Sequence, residues 1–556
     1  MSRLEKLKLI AAVLLLVNFS FLAATIYRFK MPKSDYHYAA YSQAELYDGL
    51  SDNDKIKPLN EEVYGGIVSH HFFVAREISK FFLQMRNQAP PQVVILGPNH
   101  FNTGNNNILL SDYDYQTPWG VLPADHNIIK QLAAGGLAKI EEKPFAREHS
   151  ISTLVGFIKK VFPDTKIVPI IIKRNTSAAD TAALADELIN ILPPRSLVIA
   201  SVDFSHHLNR IAASYHDSKS IAAISSFALA DLPKIEVDSP QSIAVLLEYL
   251  QSRGAEKITW TNTNSARFSN NLSSEDVTSY LFAHFTTGRI KTDNKVSILN
   301  WGKLELGAEI DGNLLAAIKG VEGNFLRGEN FINLKLKTPA NCQPAVVPQF
   351  RRNNVNIIYL EDSGCVGGLE EIKAALAAQG LDYFTAKDPE NNFIIKSAAG
   401  YDIAFVGFSA LNAADDYKLI TRLKSENDFV VVHINWGDRA SAAPSASQRA
   451  RSRQLIDSGA DVVIGHQAYA QNLEIYKQKP IFYSLGDFTP SSNQAVSLGV
   501  GMILDKIGGE FYIFPFRNVN NRPQLLPYKE TVDYCFNYLN DVRQADVCQF
   551  ILPALD

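Results

Sequence analysis

The sequence contains little cysteine, and none of it has the spacing of a metal-binding motif. Its four cysteines, Cys342, Cys365, Cys535 and Cys548, all lie in the second half of the chain. Without a Cys-x-x-Cys pair or a Cys/His zinc spacing, a zinc-finger type of site is excluded. In an oxidising compartment Cys342 could pair with Cys365 and Cys535 with Cys548, whereas in the cytosol all four would be thiols. Their even number favours export.

The sequence also lacks an excess of charge of either sign. It has 54 lysines and arginines against 58 aspartates and glutamates, which gives a formal net charge of −4. Basic stretches interleaved with aromatic residues are absent, so we expect no nucleic-acid partner. Short-period repeats and low-complexity tracts are absent as well. With 556 residues, of which 46% are hydrophobic, the chain is long enough for two or three globular domains.

The N-terminal residues 1–30 differ from the rest of the chain. An uncharged run, Leu9–Tyr27, is flanked on both sides by lysines and arginines. As a helix it would span about 28 Å at ~1.5 Å per residue, close to the ~30 Å hydrocarbon core of a bilayer. We therefore predict a transmembrane helix here, with the membrane as a partner. A cleaved signal peptide is the alternative, although Ala23-Ala24 is a weak cleavage site.

The pattern after this run predicts an α/β domain over residues 62–288, preceded by a polar linker at 31–61. Short apolar segments alternate with helical ones, which is typical of a mostly parallel sheet buried on both faces. Ala178–Leu192 has the pattern of an amphipathic helix. The clearest predicted strands are Pro91–Leu96, Lys166–Ile172 and Ser196–Ser201.

A second α/β domain is predicted over residues 295–517, with the junction at 289–300 and a C-terminal tail at 518–556. Its predicted strands are Asn354–Leu360, Ala404–Phe408, Phe429–His433, Val462–Gly465 and Pro480–Phe488. Its predicted helices include Leu369–Gln379 and Ser447–Ser458.

Histidines and carboxylates follow the predicted strands of the first domain. His70, His100 and Asp203 each come after an apolar segment, and Glu148-His149 opens a helix. The carboxyl ends of strands in such sheets are where ligands bind. Imidazole and carboxylate together suit a first-row transition metal, and two histidines with one carboxylate are typical of non-haem iron. The structural alternatives are hydrogen-bonded histidines, Glu148 stabilising a helix N-terminus and Asp203 capping a turn.

Six motifs of the first domain occur in a characteristic order. They are Gly66-Ile67-Val68-Ser69-His70, Gly97-Pro98-Asn99-His100, Thr117-Pro118-Trp119-Gly120 with Asp125, Glu148-His149-Ser150, Ser201-Val202-Asp203-Phe204-Ser205-His206, and the region Ser239–Tyr249. Their order and spacing resemble the Memo family, also called AmmeMemoRadiSam system protein B. The resemblance covers about residues 62–288 and implies an α/β fold of the extradiol-dioxygenase type.

The resemblance also implies a set of site residues. The implied metal ligands are His70, His100, Asp203 and Asp238, and the implied proton-transferring residues are His149, His206 and Glu148. Asp238 stands where the family has a pocket cysteine, and Ser69 stands where it has a proline. Because a hard carboxylate replaces a soft thiolate, we expect Fe(II), Mn or Zn rather than copper. The exchange also removes any thiol nucleophile.

The second domain resembles the CapA family of capsule and poly-γ-glutamate synthesis proteins, which have a metallophosphoesterase-like α/β fold. The motifs that carry the resemblance are Asn330–Lys335, Val430–Gly437, Ile456–His466 and Ile481–Phe488. Such folds bind two metal ions through Asp, Asn, His and Glu at strand ends.

The second domain departs from this family at most of the metal-binding positions. The opening Gly-Asp is missing near Trp301-Gly302-Lys303, and Lys335 replaces a glutamate. Glu361-Asp362-Ser363 replaces Asn-Asn-His. Only His466 keeps its place clearly, and His433 is displaced by two positions. Two imidazoles cannot hold two metal ions, so we predict a degenerate binding or structural module. Since CapA-type domains act outside the membrane, both domains are expected to be extracytoplasmic.

Three functions follow from these patterns. The first is a metal-dependent oxidoreductase or hydrolase whose site lies in the first domain. The second is a non-catalytic cell-envelope protein that binds an anionic polymer or a partner in capsule assembly. The third is a residual phosphoesterase activity of the second domain, centred on His466.

Overall fold

The computed structural model describes residues 36–553 with several gaps. The residues left out between these limits are 53, 263–276, 290–293, 306–330, 338–346, 353–354, 362–368, 387, 389, 411–413, 438–440, 489–494, 520–521, 540–541, 543–544 and 547.

The prediction of a transmembrane helix has to be corrected. Residues 1–30, on which it rests, lie outside the described residues. Within the described part, no helix combines the length and the apolar character that crossing a membrane requires. The longest helix there, Arg210–Ser225, has 16 residues, whereas about 20 are needed. The fold class is therefore α/β for both domains, and the predicted membrane anchor and the location derived from it are not supported.

The first domain is built on a nine-stranded sheet with the order β12-β10-β11-β2-β9-β3-β8-β4-β7. The strands of this domain are β1 (Tyr36–Tyr38), β2 (Val63–Val68), β3 (Gln92–Pro98), β4 (Ile108–Leu110), β5 (Asp114–Thr117), β6 (Gly120–Leu122), β7 (Ala138–Ile140), β8 (Lys166–Ile172), β9 (Leu197–Ser201), β10 (Ala255–Asn262), β11 (Phe282–Thr286) and β12 (Gly288–Arg289). The central strands β2, β9, β3 and β8 are parallel. The three predicted strands are thus confirmed as β3, β8 and β9.

Both faces of this sheet are buried, which explains the continuous apolar runs in the sequence. Along β3, Val94 and Leu96 belong to the hydrophobic core on one face, and Val93 and Ile95 belong to the core on the other. The α-helices that cover the sheet are Ala75–Gln84, His126–Ala134, Glu142–Phe145, His149–Ser152, Val155–Val161, Ala178–Ile191, Arg210–Ser225 and Pro240–Ser252. Short 3₁₀ helices occur at Ala44–Leu46, Phe72–Val74 and Leu229–Lys234. The amphipathic pattern of Ala178–Leu192 correctly predicts a helix.

The described part of the expected linker, residues 36–61, is packed on the first domain. β1 pairs with β5 in parallel. Tyr47 is buried, and its ring lies edge-on to Phe157 and Trp119, with centroid distances of 4.7 and 5.0 Å. A Cβ at Gly156 would collide with this ring. Aromatic packing therefore fixes a segment whose polar composition predicts only a connection.

The second domain contains two sheets with the orders β16-β15-β14-β13-β23-β24-β27-β26 and β17-β18-β19-β20-β22-β21, and β25 also pairs with β24. Its strands are β13 (Val296–Glu305), β14 (Phe331–Lys337), β15 (Ile357–Glu361), β16 (Asp382–Thr385), β17 (Phe393–Ala398), β18 (Tyr401–Ser409), β19 (Phe429–Asn435), β20 (Val462–His466), β21 (Ala470–Tyr476), β22 (Lys479–Leu485), β23 (Val496–Asp505), β24 (Gly508–Val519), β25 (Arg522–Leu525), β26 (Ala545–Asp546) and β27 (Gln549–Pro553). Its α-helices are Val347–Arg352, Leu369–Ala378, Ala414–Glu426, Ala446–Asp457 and Tyr528–Tyr538.

The segment expected as a C-terminal tail belongs to the second domain. β27 pairs with β24 in an antiparallel arrangement, which places the end of the described chain inside a sheet. Cys535 and Cys548 form a disulfide bond that ties the last helix to this strand. The other proposed pair, Cys342 and Cys365, lies outside the described residues.

One helix of the first domain, Arg210–Ser225, also packs into the core of the second. Its Ile211, Ala212 and Tyr215 belong to the same buried cluster as the strands β13, β23 and β24. Tyr215 approaches the backbone of β23 at Gly501, where a Cβ would lie 2.8 Å from the tyrosine ring. The two domains therefore share one hydrophobic core along this helix.

The buried His284 on β11 predicts a pH dependence of stability. Its Nε2 lies 3.1 Å from the carbonyl of Phe81, on whose ring it stacks. Burial lowers the pKa of His284 from 6.5 to about 4. The unfolded chain therefore binds this proton at a higher pH than the folded chain does, and stability is lost as the pH falls from 6.5 toward 4. We expect about 2 kcal/mol of loss by about pH 5.

Urea unfolding at about pH 7.5 and about pH 5 measures this loss. The variant His284→Gln should lose about 2 kcal/mol less than the wild type between the two values. His126→Gln, which changes an exposed histidine, is the matched control and should behave as the wild type. An unchanged pH dependence in His284→Gln would contradict the prediction.

Candidate metal centre

The candidate ligands lie at one edge of the first sheet because three parallel strands end there. His70 follows β2, His100 follows β3 and Asp203 follows β9, each by two residues. β9 lies between β2 and β3 in the sheet, so the three segments are adjacent. Asp238 directly precedes Ser239, whose hydroxyl caps the helix Pro240–Ser252 by accepting from the backbone N–H of Ser242.

The imidazole of His70 is buried, and its tautomer follows from its neighbours. Its Nδ1 lies 3.3 Å from the hydroxyl of Ser201, and that hydroxyl donates its proton to the carbonyl of Ser150 at 2.6 Å. Since the hydroxyl proton is committed, Nδ1 of His70 must be the donor to Ser201. The lone pair of Nε2 is then free for a ligand. Burial, with the nearby charges of His100 and His149, holds the pKa of His70 well below its usual value.

His100 is oriented in the same way by Glu148. Its Nδ1 lies 2.7 Å from Oε1 of the carboxylate, and its backbone N–H donates to Oε2 at 2.9 Å. The backbone N–H of Ser150 donates to Oε1 as well, also at 2.9 Å. A carboxylate that accepts from a ligand histidine fixes its tautomer and ring orientation in metal sites. Glu148 therefore holds the ring and the backbone of His100 in place, and its predicted role in proton transfer stays a prediction.

Asp238 completes a set of two imidazoles and one carboxylate. Its Oδ2 lies 3.3 Å from Nε2 of His70 and 3.7 Å from Nε2 of His100. The backbone N–H of Asp203 donates to the same oxygen at 3.1 Å. The other oxygen, Oδ1, is buried and has no hydrogen-bond partner among the described residues. Two Nε2 atoms beside one oxygen of a buried carboxylate, whose other oxygen has no partner among the described residues, fit a divalent transition metal.

Asp203 and His149 also lie within reach of this position. The ligand atoms of His70, Asp203 and Asp238 lie within 4.8 Å of one another, as do those of His70, His100 and His149. The hydroxyl of Ser69 donates to Oδ1 of Asp203 at 2.5 Å, so one oxygen of this carboxylate is already engaged. The ring of His149 stacks on His100 with a centroid distance of 4.2 Å. Each of these two groups thus includes Asp203 or His149, and the predicted role of Asp203 as a ligand stays a prediction.

His206 lies on the loop that begins with Asp203 and is largely buried. Burial lowers the pKa of His206 below its usual value, and the negative charge of Asp203 partly offsets this. Burial also lowers the pKa of His149, and the charge of His100 adds to the effect. Both imidazoles are thus mainly neutral near pH 7 and able to accept a proton.

Sequence reasoning misses the two serines that hold the ligand histidines and the tyrosine beside the site. Ser201 and Ser150 form the hydrogen-bonded chain under His70. Tyr280 places its hydroxyl 2.5 Å from Nδ1 of His71, the residue after the candidate ligand His70. The sequence offers one indication of their role, because Ser150 and Ser201 belong to the same motifs as the candidate residues Glu148 and Asp203.

Comparison with known proteins identifies both domains. Residues 54–282 match the family described as Memo-like protein, and residues 360–492 match the family of bacterial capsule synthesis protein PGA_cap. The chain joins a Memo-like domain to a CapA-like domain. The resemblances seen in the sequence are thereby confirmed.

Two relatives illustrate the match. A MEMO1 family protein of Caldivirga maquilingensis is 31% identical over 29% of this chain and 56% of its own length. A capsule biosynthesis protein CapA of Bacillus anthracis is 31% identical over 23% of this chain and 38% of its own length. The chain thus spans about half, or less, of these relatives. A hypothetical protein of Thermus thermophilus covers 47% of this chain and is itself covered fully, but at 12% identity and a TM-score of 0.28 the likeness carries no argument.

The CapA-like domain places its two remaining histidines in contact with each other. Nδ1 of His433 lies 3.0 Å from Nε2 of His466, and both rings are buried against Tyr359. Lys303 is buried, and its ammonium lies 3.2 Å from a carboxylate oxygen of Asp487. In the part of the chain that the structure describes, the groups able to hold a metal ion all lie in the Memo-like domain.

Removing a ligand should abolish metal binding by the Memo-like domain. Asp238→Asn deletes the anionic ligand, and Glu148→Gln removes one of the acceptors that orient His100. For Glu148→Gln we expect a loss of about 10- to 100-fold in metal affinity, and a greater loss for Asp238→Asn. Competition with a chromophoric chelator measures both. His126→Gln, which changes an exposed histidine that pairs with Asp112, is the control. Wild-type affinity in Asp238→Asn would contradict the assignment.

Metal affinity should also fall as the pH decreases from about 8 to about 6. Burial alone would lower the pKa of His100, but hydrogen bonds to Asp238 and Glu148 outweigh it and raise this pKa to about 10. Burial raises the pKa of Asp238 to about 7. A metal ion must displace the proton from each ligand, so lower pH favours the metal-free protein. The same chelator competition, repeated across this range, checks the direction. An affinity that rises toward pH 6 would contradict it.

The Lys303–Asp487 pair should contribute to the stability of the CapA-like domain. Lys303→Met keeps most of the side-chain volume but removes the ammonium beside Asp487. Because the pair is largely buried, we expect a loss of about 3 kcal/mol in the free energy of unfolding. Lys477→Met, which removes an exposed ion pair with Asp457, should cost less than about 1 kcal/mol. Equal losses in the two variants, measured by urea unfolding, would show that the buried pair has no special role.

Proposed function

We propose that the protein is a metal-dependent oxidoreductase whose active site is the pocket of the Memo-like domain. The observation that supports this most is that Nε2 of His70 and Nε2 of His100 both lie near Oδ2 of Asp238. The other oxygen of this carboxylate, Oδ1, is buried and has no partner among the described residues. Two histidines and one carboxylate with open positions are typical of non-haem iron(II) enzymes. Iron(II) bound there would supply one-electron redox chemistry and Lewis acidity.

The surrounding residues support a role in handling protons. His149 is about half exposed, with 49% of its side chain accessible, whereas the side chain of His70 is only 1% accessible. A substrate therefore reaches the site from the side of His149. Since His149 stacks on His100 and is mainly neutral, it is placed to take a proton from a substrate beside the metal position. His206 is the second candidate for this role.

The metal and the reaction class can be tested together on the full chain. The protein purified without oxygen is loaded separately with Fe(II), Mn(II) and Zn(II), and bound metal is counted by mass spectrometry. We expect one ion per chain, and an iron–nitrosyl electron paramagnetic resonance signal when the iron form is exposed to nitric oxide, because open positions remain at the metal. His149→Ala should keep both signals. Absence of bound metal in the wild type, or a metal content that Asp238→Asn leaves unchanged, would refute the proposal.

A second candidate function concerns the CapA-like domain as a binding module for an anionic polymer. One observation favours it: the relative of Bacillus anthracis is named a capsule biosynthesis protein. Binding of poly-γ-glutamate by the full chain, weakening as salt is added, would support this function. No binding at low salt would exclude it.

A further inference from the structure

Ser279 holds the part of the loop that directly follows Asp203 and leads to His206. The backbone N–H of Phe204 donates to the carbonyl of Ser279 at 3.0 Å, and the N–H of Ser279 donates to the carbonyl of Ser205 at 2.8 Å. The N–H of Ser205 donates to the hydroxyl oxygen of Ser279 at 2.9 Å. Three hydrogen bonds therefore fix the backbone of this loop directly after Asp203.

The hydroxyl of Ser279 is in turn oriented by Asp217. It donates to Oδ1 of Asp217 at 2.5 Å, and the Asp217 carboxylate is buried on the helix Arg210–Ser225. A serine hydroxyl has one proton. Because the hydroxyl donates this proton in a hydrogen bond to Asp217, the lone pairs of the Ser279 oxygen point toward the N–H of Ser205.

The helix that carries Asp217 is attached to the CapA-like domain on both sides of this residue. Tyr215 contacts the rings of Tyr512 and Phe514 at centroid distances of 5.1 and 5.6 Å. The hydroxyl of Ser218 lies 2.6 Å from the hydroxyl of Tyr512. The position of Asp217 thus depends on strand β24 of the second domain.

At the other end of this network, Asp203 holds the proposed metal ligand Asp238. The backbone N–H of Asp203 donates to Oδ2 of Asp238 at 3.1 Å, and the backbone N–H of Asp238 donates to the carbonyl of Asp203 at 3.0 Å. A continuous series of contacts therefore runs from Tyr512 through Ser218, the helix, Asp217, Ser279 and the Ser205 backbone to Asp203 and Asp238.

We propose that Asp217 is a positioning residue for the metal centre and that the CapA-like domain, through Tyr512, sets the geometry of that centre. This inference rests on the proposed function, because it concerns the same metal ligands. The CapA-like domain would then position residues of the pocket in the Memo-like domain, whether or not it binds a metal ion itself.

Cobalt(II) bound to the full chain reports both affinity and geometry through its visible absorption. Asp217→Ala removes the acceptor for Ser279 and should weaken cobalt binding about 10-fold and alter the band positions. Asp217→Asn keeps an acceptor oxygen and should retain the wild-type spectrum. Ser226→Ala, which deletes a hydroxyl at the end of the same helix, is the control for a local structural effect. A wild-type affinity and spectrum in Asp217→Ala would overturn the inference.

Tyr512→Phe tests the contribution of the second domain without changing any residue of the first domain. It deletes the hydroxyl that contacts Ser218, and we expect a smaller shift of the cobalt spectrum in the same direction as in Asp217→Ala. Tyr359→Phe removes a buried hydroxyl that bonds the carbonyl of Phe408 within the CapA-like domain, and it should leave the spectrum unchanged. Equal spectra for wild type and Tyr512→Phe would overturn the role of the second domain.

The outcomes separate this inference from the proposed function. If the wild type binds no cobalt, both are refuted. If the wild type binds cobalt and loses it in Asp238→Asn, but the Asp217 and Tyr512 variants match the wild type, then the metal site stands and the positioning network is refuted.

Discussion

The candidate centre depends on one buried carboxylate that is not itself a ligand. Glu148 accepts hydrogen bonds from the ring and the backbone of His100 and from the backbone of Ser150. These bonds compensate for burying its charge, and they turn Nε2 of His100 toward Asp238. Ser150 lies two residues after Glu148, and its hydroxyl donates to the carbonyl of Pro98 at the end of β3. Gly97 makes this approach possible, because a Cβ there would collide with Ser150. The residues Glu148 and Ser150 therefore orient His100 and also fix the backbone at the end of β3.

The parts of the fold that were predictable from sequence are those with a regular pattern. Strand β8 is recognisable from its continuous apolar run, because both faces of the sheet are buried. The helix after it is recognisable from its amphipathic pattern, because one of its faces is buried. The motif residues His70, His100 and Asp203 could be placed near one another because parallel strands end at one edge. The predicted linker and tail could not be interpreted correctly in this way. Their burial comes from contacts with distant residues, such as Tyr47 with Trp119 and β27 with β24, which leave no local periodicity.

Within the site, the sequence predicts residues that the structure brings close together, but it does not predict the hydrogen bonds that they make. The sequence places Glu148 among the proton-transferring residues, but it does not predict the three hydrogen bonds that this carboxylate accepts from His100 and Ser150. It also treats Asp203 and Asp238 as equal ligands. In the structure, Ser69 donates to one oxygen of Asp203, and the backbone N–H of Asp203 donates to one oxygen of Asp238. The other oxygen of Asp238 is buried and has no partner among the described residues. Such differences depend on which side chains meet across the sheet edge, and a linear pattern does not contain that information.

The helix shared by the two domains also constrains the order in which the chain can fold. Ser218 and Tyr512 are 294 residues apart in sequence. At about 5 to 20 residues per second, a ribosome needs about 15 to 60 s to reach Tyr512 after Ser218. During that time the apolar side of the helix, including Ile211 and Tyr215, has no strand β23 or β24 to cover it. This side of the helix is therefore covered only after strands β23 and β24 have been synthesised.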